Sequence, residues 1–168
     1  TTLDHAIDLF DEKLNGLTQR DRRLCHAIIY GTLRHRGTLD WIINAESSRP
    51  VERIDPYACY IIRMALFQVM YMDRIPTSAA VHTAVELAKQ TTGKKIAGFV
   101  NAILRKTVGR SKDDYMPAAD VDPSIRMSVI HSMPLWLIKR WLDRYLLETV
   151  NQLCESLNTL PGICVRTN

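Results

Sequence analysis

Apolar residues recur along this chain at three- and four-residue intervals, the period of amphipathic helices, with breaks at glycine, proline and acidic clusters. Segment 3–14 carries Leu3, Ile7, Phe10 and Leu14 at that spacing and meets Gly16, which predicts a short amphipathic helix. Thr18 is placed to cap a second helix running to about Arg34. Its Leu24, Cys25, Ile28, Ile29 and Thr32 share one side, while Arg23, His26, Tyr30 and Arg34 form the opposite stripe. Gly37 and Thr38 restart the chain into a helix bearing Leu39, Trp41, Ile42 and Ile43. Asp55-Pro56 is a helix-start signal, because Asp accepts from free amide groups and Pro at the first position forfeits no hydrogen bond. Tyr57 to Met72 is apolar on nearly every side and reads as the central buried helix. Pro76-Thr77-Ser78 opens a helix through Gln90, and Gly93 supplies the left-handed backbone that ends it. Lys94 and Lys95 stand at or just before the start of the next helix, Ile96 to Val108, whose apolar positions are Phe99, Val100, Ile103 and Leu104.

From Ser111 to Pro123 the periodicity lapses while acids and prolines collect, the composition of a linker. A domain over 1–110, a linker over 111–123 and a helical connecting segment over 124–168 follow from that break. The last of these contains a short helix from Ser124 to His131, another opened by Pro134 and an amphipathic stretch to about Leu157. Ile163 to Arg166 reads as the start of a strand. Trp41, Trp136 and Trp141 fall at apolar helical spacing and are read as packing residues. The expected fold class is all-α, a helical bundle followed by a smaller helical segment.

Hydrophobic residues at 46% and charged residues at 24% are those of a globular domain, without an apolar run long enough to span a bilayer. No membrane association is expected. The first residue is Thr1 and no signal-peptide pattern follows it, so the chain is expected to be a segment of a longer protein. Cys25, Cys59, Cys154 and Cys164 never pair as C-x-x-C and lie mostly among apolar neighbours, which points to a reducing cytoplasm. The five histidines lack ligand spacing, so no metal site is expected.

The net charge of +4 matters less than its placement, since binding to a polyanion depends on local clusters. Residues 20–36 hold five Arg against Asp21, and residues 63–110 hold eight Lys or Arg against Asp73 and Glu86. Two stretches therefore carry the basic character.

The run Val81-His82-Thr83-Ala84-Val85-Glu86-Leu87-Ala88-Lys89, then Gly98-Phe99-Val100-Asn101-Ala102-Ile103-Leu104-Arg105, resembles the paired signature of NusB-like domains. Asp21-Arg22-Arg23, Tyr30-Gly31-Thr32-Leu33-Arg34 and Gly37-Thr38-Leu39-Asp40-Trp41 narrow the likeness. They are similar to the N-terminal region of the Sun/Fmu (RsmB-type) ribosomal-RNA cytosine-C5 methyltransferases. His131-Ser132-Met133-Pro134-Leu135-Trp136-Leu137 and the segment Ile163 to Asn168 resemble the connection that follows in that family.

The resemblance implies a NusB-like helical bundle that binds small-subunit ribosomal RNA and targets an S-adenosylmethionine-dependent domain lying C-terminal to Asn168. That domain would be its second partner. The family's nucleophilic Cys follows Pro, and none of the four cysteines here does. Pro161-Gly162 is a turn dipeptide rather than a cofactor loop. The segment itself is thus expected to hold no catalytic residue and no cofactor. The Arg-rich helix start that NusB uses for RNA is missing from the sequence. The competing reading is a protein-binding module, as NusB pairs with a ribosomal protein in transcription antitermination.

Lys94 and Lys95 beside a helix N-terminus suit an RNA phosphate, combining ammonium groups with free backbone donors. Phe99 matches a position that NusB uses in RNA contact, and an exposed aromatic there can stack on a base. The same spacing fits a core residue, and exposure separates the two. Arg23, Tyr30 and Arg34, with His26, mix cations and an aromatic on one face, which suits a phosphate backbone but also any solvated helix surface. Arg105, near the end of its helix, is a further RNA candidate that the helix dipole explains equally well.

Overall fold

The computed structural model describes residues 5–7, 14 and 16–159. Residues 5–7 and 14 are helical, within the first predicted helix. The helices that follow are α1 (Gln19–Arg34), α2 (Arg36–Glu46), α3 (Pro56–Tyr71), α4 (Thr77–Thr92), α5 (Lys94–Thr107), α6 (Pro123–His131), α7 (Leu135–Leu142) and α8 (Leu147–Asn158). Two short 3-10 helices, Val51–Arg53 and Lys112–Tyr115, lie between them. The described residues contain no strand, and the strand expected at Ile163 to Arg166 lies outside them.

Local chemistry sets the helix starts. The Thr18 hydroxyl accepts from the Asp21 amide at 3.2 Å and donates to the Asp21 carboxylate at 2.7 Å, and the Asp55 carboxylate accepts from the Ala58 amide at 3.0 Å. Gly93 ends α4 and precedes α5 with φ 88° and ψ 169°. Its φ is positive as expected, but its ψ lies outside the left-handed helical region, because the chain must turn directly into α5.

Helix α3 is the axis of the main core. Ile61, Ile62, Ala65 and Leu66 are buried against Leu39, Ile42 and Ile43 of α2 and against Ala97, Val100, Ile103 and Leu104 of α5. Helix α4 presents Ala84 and Ala88 to the same cluster, and such small side chains let neighbouring helices approach closely. On α1, a Cβ added at Gly31 would lie 1.9 Å from Cζ of Phe67, so only glycine lets α1 sit on α3 in this way. The buried Arg63 in α3 is paired: its Nε donates to Asp40 Oδ1 at 2.6 Å and its Nη2 to Oδ2 at 2.9 Å. Burial opposes the guanidinium's charge, but the hydrogen bonds and charge of Asp40 outweigh it and raise its pKa.

A second cluster joins Met127, Ile138, Val150 and Cys154, with Met133, Trp141 and Leu142 against it. The acidic stretch between the clusters is packed down. Tyr115 is buried in the main core, its carbonyl accepts from Trp41 Nε1 at 2.7 Å, and its hydroxyl donates to Glu46 at 2.8 Å. Helix α6 docks on α2, where the Thr38 amide donates to Ser132 Oγ at 2.8 Å. Ser132 takes φ 57° to end α6, and Gly37 leaves room for it, since a Cβ there would come within 3.2 Å of Ser132 Cα. Trp136 departs from the sequence reading. It is 63% exposed, because the small second cluster is reached by the opposite side of α7 through Ile138.

Candidate nucleic-acid interface

The turn between α2 and α3 and the first two turns of α5 enclose a cleft of about 290 Å³, lined by Ser48, Arg49, Arg53, Ile54, Asp55, Ala58, Lys95, Ile96 and Phe99. Three cations from two separate segments thus meet one aromatic ring. Arg49 and Arg53 are exposed, and among the described residues neither they nor Lys94 and Lys95 join an ion pair. Asp55 is the one carboxylate in the lining. Its Oδ1 is engaged in capping α3, so the positive end of that helix offsets part of its charge.

Lys94 and Lys95 are the first two residues of α5, and no side chain caps that helix. Its leading amide groups therefore stay open to an anion, with the two exposed ammonium groups beside them. Phe99 lies one turn further along. It is half-buried, packs its inner side against the main core and lines the cleft with the rest. The ring is therefore neither fully core nor fully exposed.

The other sequence-predicted residues lie elsewhere. Arg23 is exposed, Arg34 half-buried and Tyr30 38% exposed, the last in an edge-to-face contact with His26 at 6.3 Å between centroids. They belong to α1, whose Gly31 rests on Phe67 near the far end of α3. Phe67 is separated from Ala58 in the cleft by about 14 Å of helix. Arg105 is exposed on α5, about two turns beyond Phe99. The neighbouring cations are engaged. Lys106 Nζ donates to the Glu46 carbonyl at 2.7 Å, and Arg110 Nη1 donates to the Glu46 carboxylate at 2.6 Å.

The cleft adds residues that helical periodicity passes over. Arg49 and Arg53 lie in the irregular stretch before Asp55-Pro56, where no repeating pattern marks a face. Their one sequence signal is position: cations just ahead of a capped helix start. Tyr57, in the first turn of α3, does not line the cleft but is 65% exposed, a departure from the buried helix its apolar run predicts. Burial raises the thiol pKa of Cys59 and Cys154, the direction opposite to that of an activated nucleophile. Among the described residues no three or more His, Cys, Asp or Glu side chains gather as a metal site, and no helix is long and apolar enough to cross a membrane.

A family model described as the NusB family matches residues 1–108. A probable ribosomal RNA small subunit methyltransferase B of Bacillus subtilis is 34% identical over 158 residues, which make up 93% of this chain and 34% of the relative. A protein of the same name from Synechocystis is 32% identical over 165 residues, 98% of this chain and 36% of the relative. The ribosomal RNA small subunit methyltransferase B of an Escherichia coli strain is 29% identical over 152 residues, 90% of this chain and 34% of that protein. The family likeness read from the paired motifs is therefore borne out, as is the all-helical fold class. The chain spans about a third of the length of the curated relatives it matches.

Proposed function

Because the chain belongs to the NusB family, whose model matches residues 1–108, we propose that it is the RNA-binding and targeting region of a ribosomal RNA methyltransferase. In this reading it holds small-subunit ribosomal RNA for an S-adenosylmethionine-dependent domain that forms 5-methylcytosine, and contributes affinity and register rather than bond making. The names of the relatives support the substrate class. The observation that carries the reading is the meeting of Arg49, Arg53 and Lys95 with Phe99 in one cleft.

Each part of that cleft has a chemical role. The guanidinium groups of Arg49 and Arg53 can fork two phosphate oxygens, while Lys94 and Lys95 add point charges over the open amides of α5. The outward side of Phe99 offers a stacking face for an unpaired base. Phosphate contacts set where the RNA lies and the stacked base favours a single-stranded or looped segment over a regular duplex.

The test is binding of this chain to small-subunit ribosomal RNA fragments, beside a Lys94→Ala/Lys95→Ala variant whose helicity is checked by circular dichroism. The expected result is salt-sensitive binding to at least one fragment, weakened about tenfold or more in the variant. Equal affinity in wild type and variant removes α5 from the interface, and absence of binding removes the reading.

A further inference from the structure

The residues outside the cleft include one more unbalanced surface. Helix α7 turns Ile138, which is fully buried, into the second core cluster. At about 100° per residue, the opposite side of that helix holds Trp136, Lys139, Arg140 and Asp143. Trp136 is 63% exposed, Lys139 and Arg140 are exposed about one helical turn from it, and Arg144 is exposed just past the end of the helix. Among the described residues no carboxylate forms an ion pair with any of the three cations, although Asp143 lies on the same face and Asp122, whose pKa is lowered first by hydrogen bonds from Ser124 and Ile125, also feels the charge of Lys139. The turn that follows adds Tyr145, 53% exposed.

We infer that this face of α7 is a second contact for single-stranded RNA, in which a base stacks on the Trp136 indole while Lys139, Arg140 and Arg144 hold the adjoining phosphates. The inference rests on the RNA-binding reading given above but on different residues. Trp is a poor solvent-facing residue for a helix that needs only one apolar side. Flanked by unpaired cations, an open indole is the combination that single-strand binding surfaces use, with stacking for the base and charge for the backbone. A partner protein matching this face would need an acidic surface around an apolar pocket; the excess of cations immediately around the indole favours a polyanion.

The fold fixes where this face lies. The cleft begins at Ser48 and Arg49, just past the C-terminal end of α2. The turn that leads into α7 is held at the other end of α2 by the Thr38 to Ser132 hydrogen bond. The intervening length of α2 is about 15 Å. Two contacts joined through α2 would orient a bound strand, where the cleft alone would only tether it.

The experiment is acrylamide quenching of tryptophan fluorescence in this chain, with and without a single-stranded oligoadenylate. Trp136 dominates the accessible signal, since Trp41 is 36% exposed with its Nε1 hydrogen-bonded, and Trp141 packs against the second cluster. RNA is expected to shield the indole. Trp136→Ala is expected to weaken binding about tenfold or more, while Trp136→Phe retains most of the affinity because it keeps a stacking face. Arg140→Ala/Arg144→Ala should lower both the shielding and the salt dependence. These side chains are solvent-facing, so the variants keep the helicity of the parent. If RNA binds through the cleft while quenching is unchanged and Trp136→Ala binds like wild type, the α7 contact is overturned and the cleft reading stands. If wild type binds no RNA at all, both fall.

Discussion

Thr38 Oγ1 donates to the carbonyl oxygen of Val129 at 2.6 Å, a bond that joins α2 to the end of α6 across 91 residues of sequence. The same threonine donates its amide to Ser132 Oγ at 2.8 Å and brings its hydroxyl to 3.1 Å from that of Ser132. It is fully buried. Thr38→Val keeps the shape but strands polar groups at this joint, and is expected to cost about 1–3 kcal/mol in denaturant unfolding. A loss confined to the signal of α6 to α8 would show the second cluster undocking by itself.

The Arg63 and Asp40 pair predicts an asymmetry. Asp40→Ala leaves a buried guanidinium without its carboxylate and should destabilise by about 3 kcal/mol. Arg63→Met/Asp40→Leu removes both charges and should recover most of that loss. Chemical denaturation of the single and double variants checks the coupling.

Gly31→Ala drives a methyl into the Phe67 ring, which is itself stacked on Tyr71 at 5.4 Å between centroids. The expected cost is about 1–3 kcal/mol. Phe67→Leu in the same chain should suppress part of it, since the obstacle is the ring. Comparison of the unfolding midpoints of the three variants decides the matter.

His35 stacks on Tyr71 at 4.1 Å. Burial first, then the charges of Arg34 and Lys112, lower its pKa to about 4. The unfolded chain binds a proton near the ordinary histidine value while the folded one does not, so the stability present at neutral pH is lost as pH falls from about 6.5 toward 4. After allowance for partial solvent screening the loss is on the order of 2 kcal/mol. His35→Phe should flatten the difference between unfolding midpoints at about pH 5 and pH 7, and an unchanged difference would assign it to other groups.

The helices were legible because their signals are local. Thr18, Asp55-Pro56 and Gly93 act within a few residues of where they stand, and the buried face of α3 is written into a nearly uninterrupted apolar run. The paired motifs around Val81 to Lys89 and Gly98 to Arg105 carried the family. The cleft was only half legible. Lys95 and Phe99 share a helix and a face, but Arg49 and Arg53 reach them through tertiary packing of α3 and α5, which helical spacing does not encode. Trp136 was misread for a related reason. Apolar spacing tells which side of a helix could be buried, whereas the size of the core it meets decides how much is. The second cluster is small enough that Ile138 fills α7's share of it.

The central claim is that a phosphate backbone occupies the cleft, and the salt dependence of RNA affinity tests it most directly. Wild type and an Arg49→Ala/Arg53→Ala/Lys95→Ala variant would be titrated with a single-stranded segment of small-subunit ribosomal RNA over a range of salt concentrations. Each lost phosphate contact is expected to make the slope of log affinity against log salt about 0.7 less steep, so the variant should fall about 2 short of wild type. Parallel lines of equal slope, with both proteins folded, would contradict the account.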